Sequence, residues 1–223
     1  MNSPLKVVVL GASPNTPSTS VTLGDYAVAA LRRRYDVDVT RVDVYHLGPG
    51  LTSAVTRADA DDATEKAFEA VEDSDLLIVS VPTYRGSYPG MFKHFMDIVR
   101  QRPFDRKPVL LMATGGSPRH MLMIDHVLRP LFVFLHAYTA PTAVFATSAD
   151  FDGDRVLDPE IPQRIDRALD DLAPLLPARK DVAAESAATD GEAAKEPAAT
   201  GPVEAVTSGH HCCHGSGSCS CHS

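Results

Sequence analysis

Five short apolar runs, each long enough for one strand, alternate with segments of helical periodicity, and this alternation constrains the fold more than any other feature. The runs are Lys6–Leu10, Val37–Val44, Asp75–Val81, Pro108–Thr114 and Thr142–Thr147. Between them, Leu23, Ala27, Ala30 and Leu31 share one helical face, and Thr64, Phe68 and Val71 share another. Phe92, Phe95, Met96 and Val99 recur at helical spacing, and Ile161, Ile165, Ala168 and Leu172 mark a last helix. Strand followed by helix, repeated in this way, requires parallel strands joined by right-handed crossovers, with helices on both faces of the sheet.

Three of the runs are almost continuous Val, Leu and Ile, as central strands covered on both sides must be. The run at Val37–Val44 carries Asp38, Arg41 and Asp43 and therefore reads as an edge. An edge second strand fits the order 2-1-3-4-5. The expected fold is an α/β, flavodoxin-like three-layer sandwich around a five-stranded parallel sheet. In such sheets ligands bind beyond the carboxyl ends of the strands, where the winding reverses. The loops after strands one, three and four should meet there.

Of 223 residues, 44% are hydrophobic and 22% charged, enough for one ordinary core and too little for two full domains. That domain is assigned to residues 1–176. From Pro177 the composition turns to Ala, Glu, Thr, Gly and Pro without periodicity, so residues 177–208 read as a disordered linker. Residues 209–223 form a His/Cys-rich tail. The formal charge of −8 argues against nucleic acid or an anionic membrane as partner. No stretch reads as an export or membrane segment: Val7–Leu10 is too short, and Arg129, Pro130, His136 and Pro141 interrupt the longer apolar stretch around them. The expected location is cytoplasmic.

All four cysteines lie in the tail, so disulfides do not hold the core. There His210, His211, Cys212, Cys213, His214, Cys219, Cys221 and His222 offer thiols and imidazoles suited to a soft or borderline metal ion such as zinc, Cu(I) or nickel. The adjacent Cys pair and the Cys-x-Cys lack the two-residue gap of a zinc knuckle, so a metal-buffering tail is expected rather than a fixed zinc site. A dispensable, oxidisable appendage is the alternative.

The three loops at the switch point are "GASPNTPSTS", "PTYRGSYPG" and "TGGSPRH". The first has one glycine, not the several a dinucleotide fingerprint needs. Instead Ser13, Asn15, Thr16, Ser18, Thr19 and Ser20 precede a helix N-terminus, whose free N–H groups and dipole favour an anion. A phosphomonoester fits this cup; plain helix capping by Ser18 or Thr19 is the simpler account. The second loop combines Pro82, Thr83, Tyr84, Arg85 and Gly86, able to meet a flat heteroaromatic ring. Thr114, Gly115, Gly116 and Ser117 allow close backbone approach from the other edge. Together the loops suggest a mononucleotide site.

These motifs, with "PTYRGSYPGMFKHFMDIV" and "ATGGSPRHMLMIDHVLRPLF", resemble the NAD(P)H-dependent FMN reductases of two-component monooxygenase systems, of the alkanesulfonate and methanesulfonate utilisation type. The resemblance covers roughly Leu5 to Leu176. It implies FMN as ligand and substrate, NAD(P)H as hydride donor, a homodimer or homotetramer, and delivery of reduced flavin to a flavin-dependent monooxygenase. It places the FMN phosphate near Ser13, Asn15, Ser18 and Ser20, with Asn15 where some relatives carry Arg. It sets the ring against Pro82, Tyr84, Arg85 and Gly86, and Thr114, Gly115, Gly116 and Ser117 at the opposite edge. It also implies a one-residue π-type insertion at His126, at a subunit interface tied to flavin transfer; a satisfied interface or core histidine is the alternative. Pro130 lies inside the same helix, which must kink or widen around it. His94, His120 and His136 are assigned to packing or surface.

Three other functions remain open at this stage. A reductase of quinones, azo dyes or metal ions would retain FMN as a prosthetic group, a flavodoxin-type carrier would oxidise NAD(P)H poorly, and a metal-handling or scaffolding protein that kept the fold alone would bind metal without turnover.

Overall fold

A computed structural model of the chain describes residues 3–177; the expected linker beyond Pro177 and the His/Cys-rich tail expected to bind metal lie outside the described residues. The sheet is parallel. In it β1 (Leu5–Gly11) lies between β2 (Val37–Asp43) at the edge and β3 (Leu76–Pro82) at the centre. Next comes β4 (Pro108–Gly115), which pairs with two short strands, β5 (Tyr138–Thr139) and β6 (Val144–Thr147).

The order 2-1-3-4-5 therefore holds, with the fifth position shared by β5 and β6. The single fifth strand expected over Thr142–Thr147 is corrected in this respect. Pro141 has no N–H to give, Thr142 N donates to Asp171 Oδ2 at 3.1 Å, and the carbonyls of Ala140 and Pro141 are taken by the Arg129 guanidinium. Pairing with β4 resumes only at Val144.

Residues alternate between the two faces, as strand geometry requires. Val8, Leu10, Leu77, Val79, Val81, Val109 and Leu111 pack into one core layer. Val7, Val9, Leu76, Ile78, Leu110 and Met112 pack into the other. The second layer is closed by α1 (Thr19–Arg32) and α6 (Glu160–Leu172), through Leu23, Ala27, Ala30, Leu31, Ile161, Ile165, Ala168 and Leu172. The first is closed by the short α2 (Pro49–Thr52), α3 (Asp62–Asp73) and α4 (Gly90–Ile98), which bury Leu51, Phe68, Val71, Phe92, Phe95 and Met96. Burying each such large side chain contributes about 1.5–3 kcal/mol. A hairpin, β7 (Phe151–Asp152) and β8 (Arg155–Val156), precedes α6. No described helix is long and apolar enough to cross a membrane.

The helix after β4 widens as Pro130 demands. Ile124–Leu128 is a π-helical turn with His126 at its middle, continuing into α5 (Arg129–Phe134). Arg129 N reaches back to the Ile124 carbonyl, and the wider turn moves the His126 carbonyl out of the path of the proline ring.

At the amino end of the sheet, charges are buried and paired. Glu72 accepts from Arg57 Nη1, from the Arg100 amide at 2.7 Å and from Arg100 Nη1 at 3.3 Å. Lys107 Nζ donates to the Glu72 carbonyl at 3.0 Å, to Ser74 Oγ at 3.2 Å and to the Ser74 carbonyl. Burial pushes the Lys107 ammonium's pKa down, against the opposing pull of Asp75, Asp73 and Glu72.

Candidate active site

The strand register brings two of the three expected loops directly alongside one another and the third next to them: Gly11 is paired with Ser80, and Pro82 with Thr114. Thr83 N extends the ladder by donating to the Thr114 carbonyl at 2.7 Å. The loops after β1, β3 and β4 thus leave the same end of neighbouring strands, as the sequence reading expects.

In the first loop Ser13 and Ser20 are buried, Ser18 and Thr19 are half-buried, and Asn15 and Thr16 are exposed. Ser18 is the N-cap of α1: its Oγ accepts from Val21 N at 3.5 Å and lies 3.0 Å from Ser20 Oγ. The capping reading and the anion reading therefore coincide on one residue. No acidic residue occupies the first turn of α1, whose leading N–H groups have no acceptor within the helix. The loop is held from below by Asp43 at the end of β2, a residue the sequence reading passed over. Its Oδ2 accepts from Ser13 N at 3.1 Å and its Oδ1 from Tyr45 N at 2.9 Å.

Tyr45 was also missed. Burial, Tyr84 and Asp43 push the pKa of its phenol up. The signal was an Asp at the end of an edge strand, poised to cap the following turn.

Tyr84 to Ser87 make a two-residue hairpin. Tyr84 N donates to the Ser87 carbonyl at 2.7 Å, and Ser87 N donates back at 3.0 Å. Both central residues have positive φ, 53° at Arg85 and 80° at Gly86, the signature of a type I′ turn. Glycine adopts this at no cost; arginine does not. The turn presents Tyr84, Arg85 and Gly86 to solvent.

Across from it, Thr114 is buried, Gly116 is exposed, and Ser117 caps the short turn Pro118–His120 through a 3.3 Å bond from Arg119 N. A methyl group at Gly115 would stand 3.0 Å from the Phe145 ring, 3.4 Å from Thr83 Oγ1 and 3.5 Å from His120 Nδ1. His120, assigned to packing or surface on the sequence, thus belongs beside this loop. His94 does pack: its Nε2 lies 3.0 Å from the Leu51 carbonyl. His126 and His136 are exposed.

These features fit a flavin mononucleotide: a helix start without carboxylates for the phosphate, and a glycine-floored cradle with unsatisfied polar atoms for the ring. A cavity of about 460 Å³ lies on the β2 side instead, where Gly11, Ser20, Arg41, Asp43, His46 and Lys66 line it. It touches both ends of the loop after β1 but neither the loop after β3 nor that after β4.

The profile of the NADPH-dependent FMN reductase family matches residues 5–152. An FMN reductase (NADPH) of Pseudomonas aeruginosa is 37% identical over 182 residues, 82% of this chain and 98% of that one. The NADH-dependent FMN reductase SfnF of Pseudomonas fluorescens is 39% identical over 175 residues, 78% of this chain and 94% of its own. Among solved structures, an oxidoreductase from Corynebacterium diphtheriae superposes with a TM-score of 0.69 at 33% identity, covering 78% of this chain and 97% of that one. With loops, register and relatives in agreement, this chain belongs to the NADPH-dependent FMN reductase family.

Proposed function

We propose that the protein reduces FMN with NAD(P)H in the cytoplasm and supplies the reduced flavin to a flavin-dependent monooxygenase of the sulfonate-utilising type. The observation that carries this reading is the junction of Gly11, Pro82 and Thr114 at neighbouring strand ends, within a chain of the FMN reductase family. Bound FMN supplies the hydride-accepting ring. The chain's own residues orient and stabilise. Ser18, Thr19 and the first N–H groups of α1, with Ser13, Asn15 and Ser20 around them, receive the phosphate. Pro82, Thr83, Tyr84, Arg85 and Gly86 support one side of the ring, and Thr114, Gly115, Gly116 and Ser117 border the other. The exposed shelf at Arg85 and Gly86 leaves room for a nicotinamide to stack and orients it for direct transfer.

Self-association is part of the proposal. Met121, Leu122, Val133 and Phe134 are all more than half exposed and flank the π-helical turn that carries His126. Such an apolar face suits a subunit contact, and His126 within it is assigned a role in flavin transfer. The His/Cys tail is proposed to bind a soft metal ion. Metal titration of the full chain against a chain ended at Pro177 tests this, and equal stoichiometry rejects it.

Steady-state NAD(P)H oxidation with FMN, FAD and a quinone as competing acceptors tests the main reading. FMN is expected to be preferred and to be lost on gel filtration. Preference for the quinone with FMN retained would make FMN a prosthetic group instead.

A further inference from the structure

Four buried side-chain polar atoms among the described residues have no hydrogen-bond partner, and two of them, Thr83 Oγ1 and His120 Nδ1, flank Gly115. They come from different elements. Thr83 follows β3, while His120 ends the short turn after β4. Phe145, on β6, closes the same point from a third direction. Buried polar atoms are nearly always paired, so two orphans around one glycine mark a place where a ligand atom completes the structure. An apolar edge seated there would leave both atoms buried and unsatisfied, the costlier outcome.

We propose that His120 and Thr83 together hydrogen-bond a heteroatom on the edge of the flavin ring, making His120 a binding contact for the ring. The inference rests on the FMN reading above and assigns a ring contact to a residue that the loop motifs alone leave to packing. Hydroxyl and imidazole can each donate or accept, so the pair serves carbonyl and ring-nitrogen atoms alike. A Cβ at Gly115 would touch both polar atoms, at 3.4 and 3.5 Å, and press on Phe145 at 3.0 Å, so glycine keeps this point open.

The test is flavin binding by fluorescence quenching, with FMN and with riboflavin, which has the ring but no phosphate. His120→Leu and Thr83→Val each remove one polar atom at similar volume and are expected to weaken binding about three- to tenfold, by the same factor for both flavins. His120→Asn, which keeps a polar atom near the Nδ1 position, is expected to stay within about twofold of the parent. Thermal unfolding without flavin checks that the variants fold. Unchanged affinity in folded His120→Leu and Thr83→Val, or a loss seen with FMN but not riboflavin, overturns the assignment of the pair to the ring. Failure of the parent protein to bind either flavin overturns the FMN reading itself.

Discussion

At the amino end of the sheet, Glu72 holds Arg57 and the Arg100 amide while Lys107 reaches the carbonyls of Glu72 and Ser74. At the carboxyl end, Thr83 Oγ1 and His120 Nδ1 are buried without partners. The Glu72–Lys107 cluster resolves its charges within the chain. The pair at the carboxyl end is left for something else to resolve. Sites are expected where local rules are broken and the surrounding structure holds the breach, and the core between the two ends is regular enough to do so.

The largest effect should come from the satisfied end. Glu72→Ala deletes a carboxylate whose side chain is 3% exposed and strips two arginines of a shared partner. Breaking a buried pair from one side costs about 3–5 kcal/mol, and the low end applies because Arg57 keeps Glu65 at 2.7 Å. Urea unfolding should report a loss of about 3 kcal/mol, while the FMN affinity of the folded protein stays within about twofold. A parallel collapse of FMN affinity would couple the two ends and break the contrast.

The next test falls within the carboxyl end, where the buried polar atoms of the loop after β1 are paired and Thr83 Oγ1 and His120 Nδ1 are not. Asp43 orders that loop by accepting from Ser13 N and Tyr45 N. Asp43→Ala leaves two backbone donors without their acceptor, about 1–3 kcal/mol in stability. It also removes a negative charge near the phosphate, which by itself favours the anion. The ordering term is the larger, because the charge effect is screened by water and salt. FMN binding is expected to weaken about tenfold, near 1.4 kcal/mol, while riboflavin binding is unchanged. Tighter FMN binding by the variant would show that repulsion dominates.

The fold was legible because the continuous apolar runs of β1, β3 and β4 have to be covered on both faces, and the apolar faces of α1, α3, α4 and α6 had a single way to be buried. The split of the fifth strand was not, since it depends on Arg129 and Asp171 capturing backbone groups around Pro141. The three loops could be found from strand order alone. Asp43, Tyr45 and His120 could not, as their roles follow from side-chain direction. His94, His120 and His136 look alike as sequence, and only the turn Pro118–His120 sends one ring toward Gly115.

Arg85 offers the smallest and sharpest test. A non-glycine residue in the left-handed region costs about 1–2 kcal/mol, part of which a glycine would give back through the greater freedom of its unfolded chain. Arg85→Gly should therefore raise stability by about 0.5 kcal/mol, whereas Arg85→Ala keeps the strain and should leave it nearly unchanged. Both variants lose the guanidinium, so any rise in KM for NAD(P)H that comes from its charge must be equal in the two. A greater loss of FMN affinity in Arg85→Gly than in Arg85→Ala would mean that the ring uses the fixed hairpin geometry itself. Equal stability of the two variants would mean that the turn at 84–87 holds no strain.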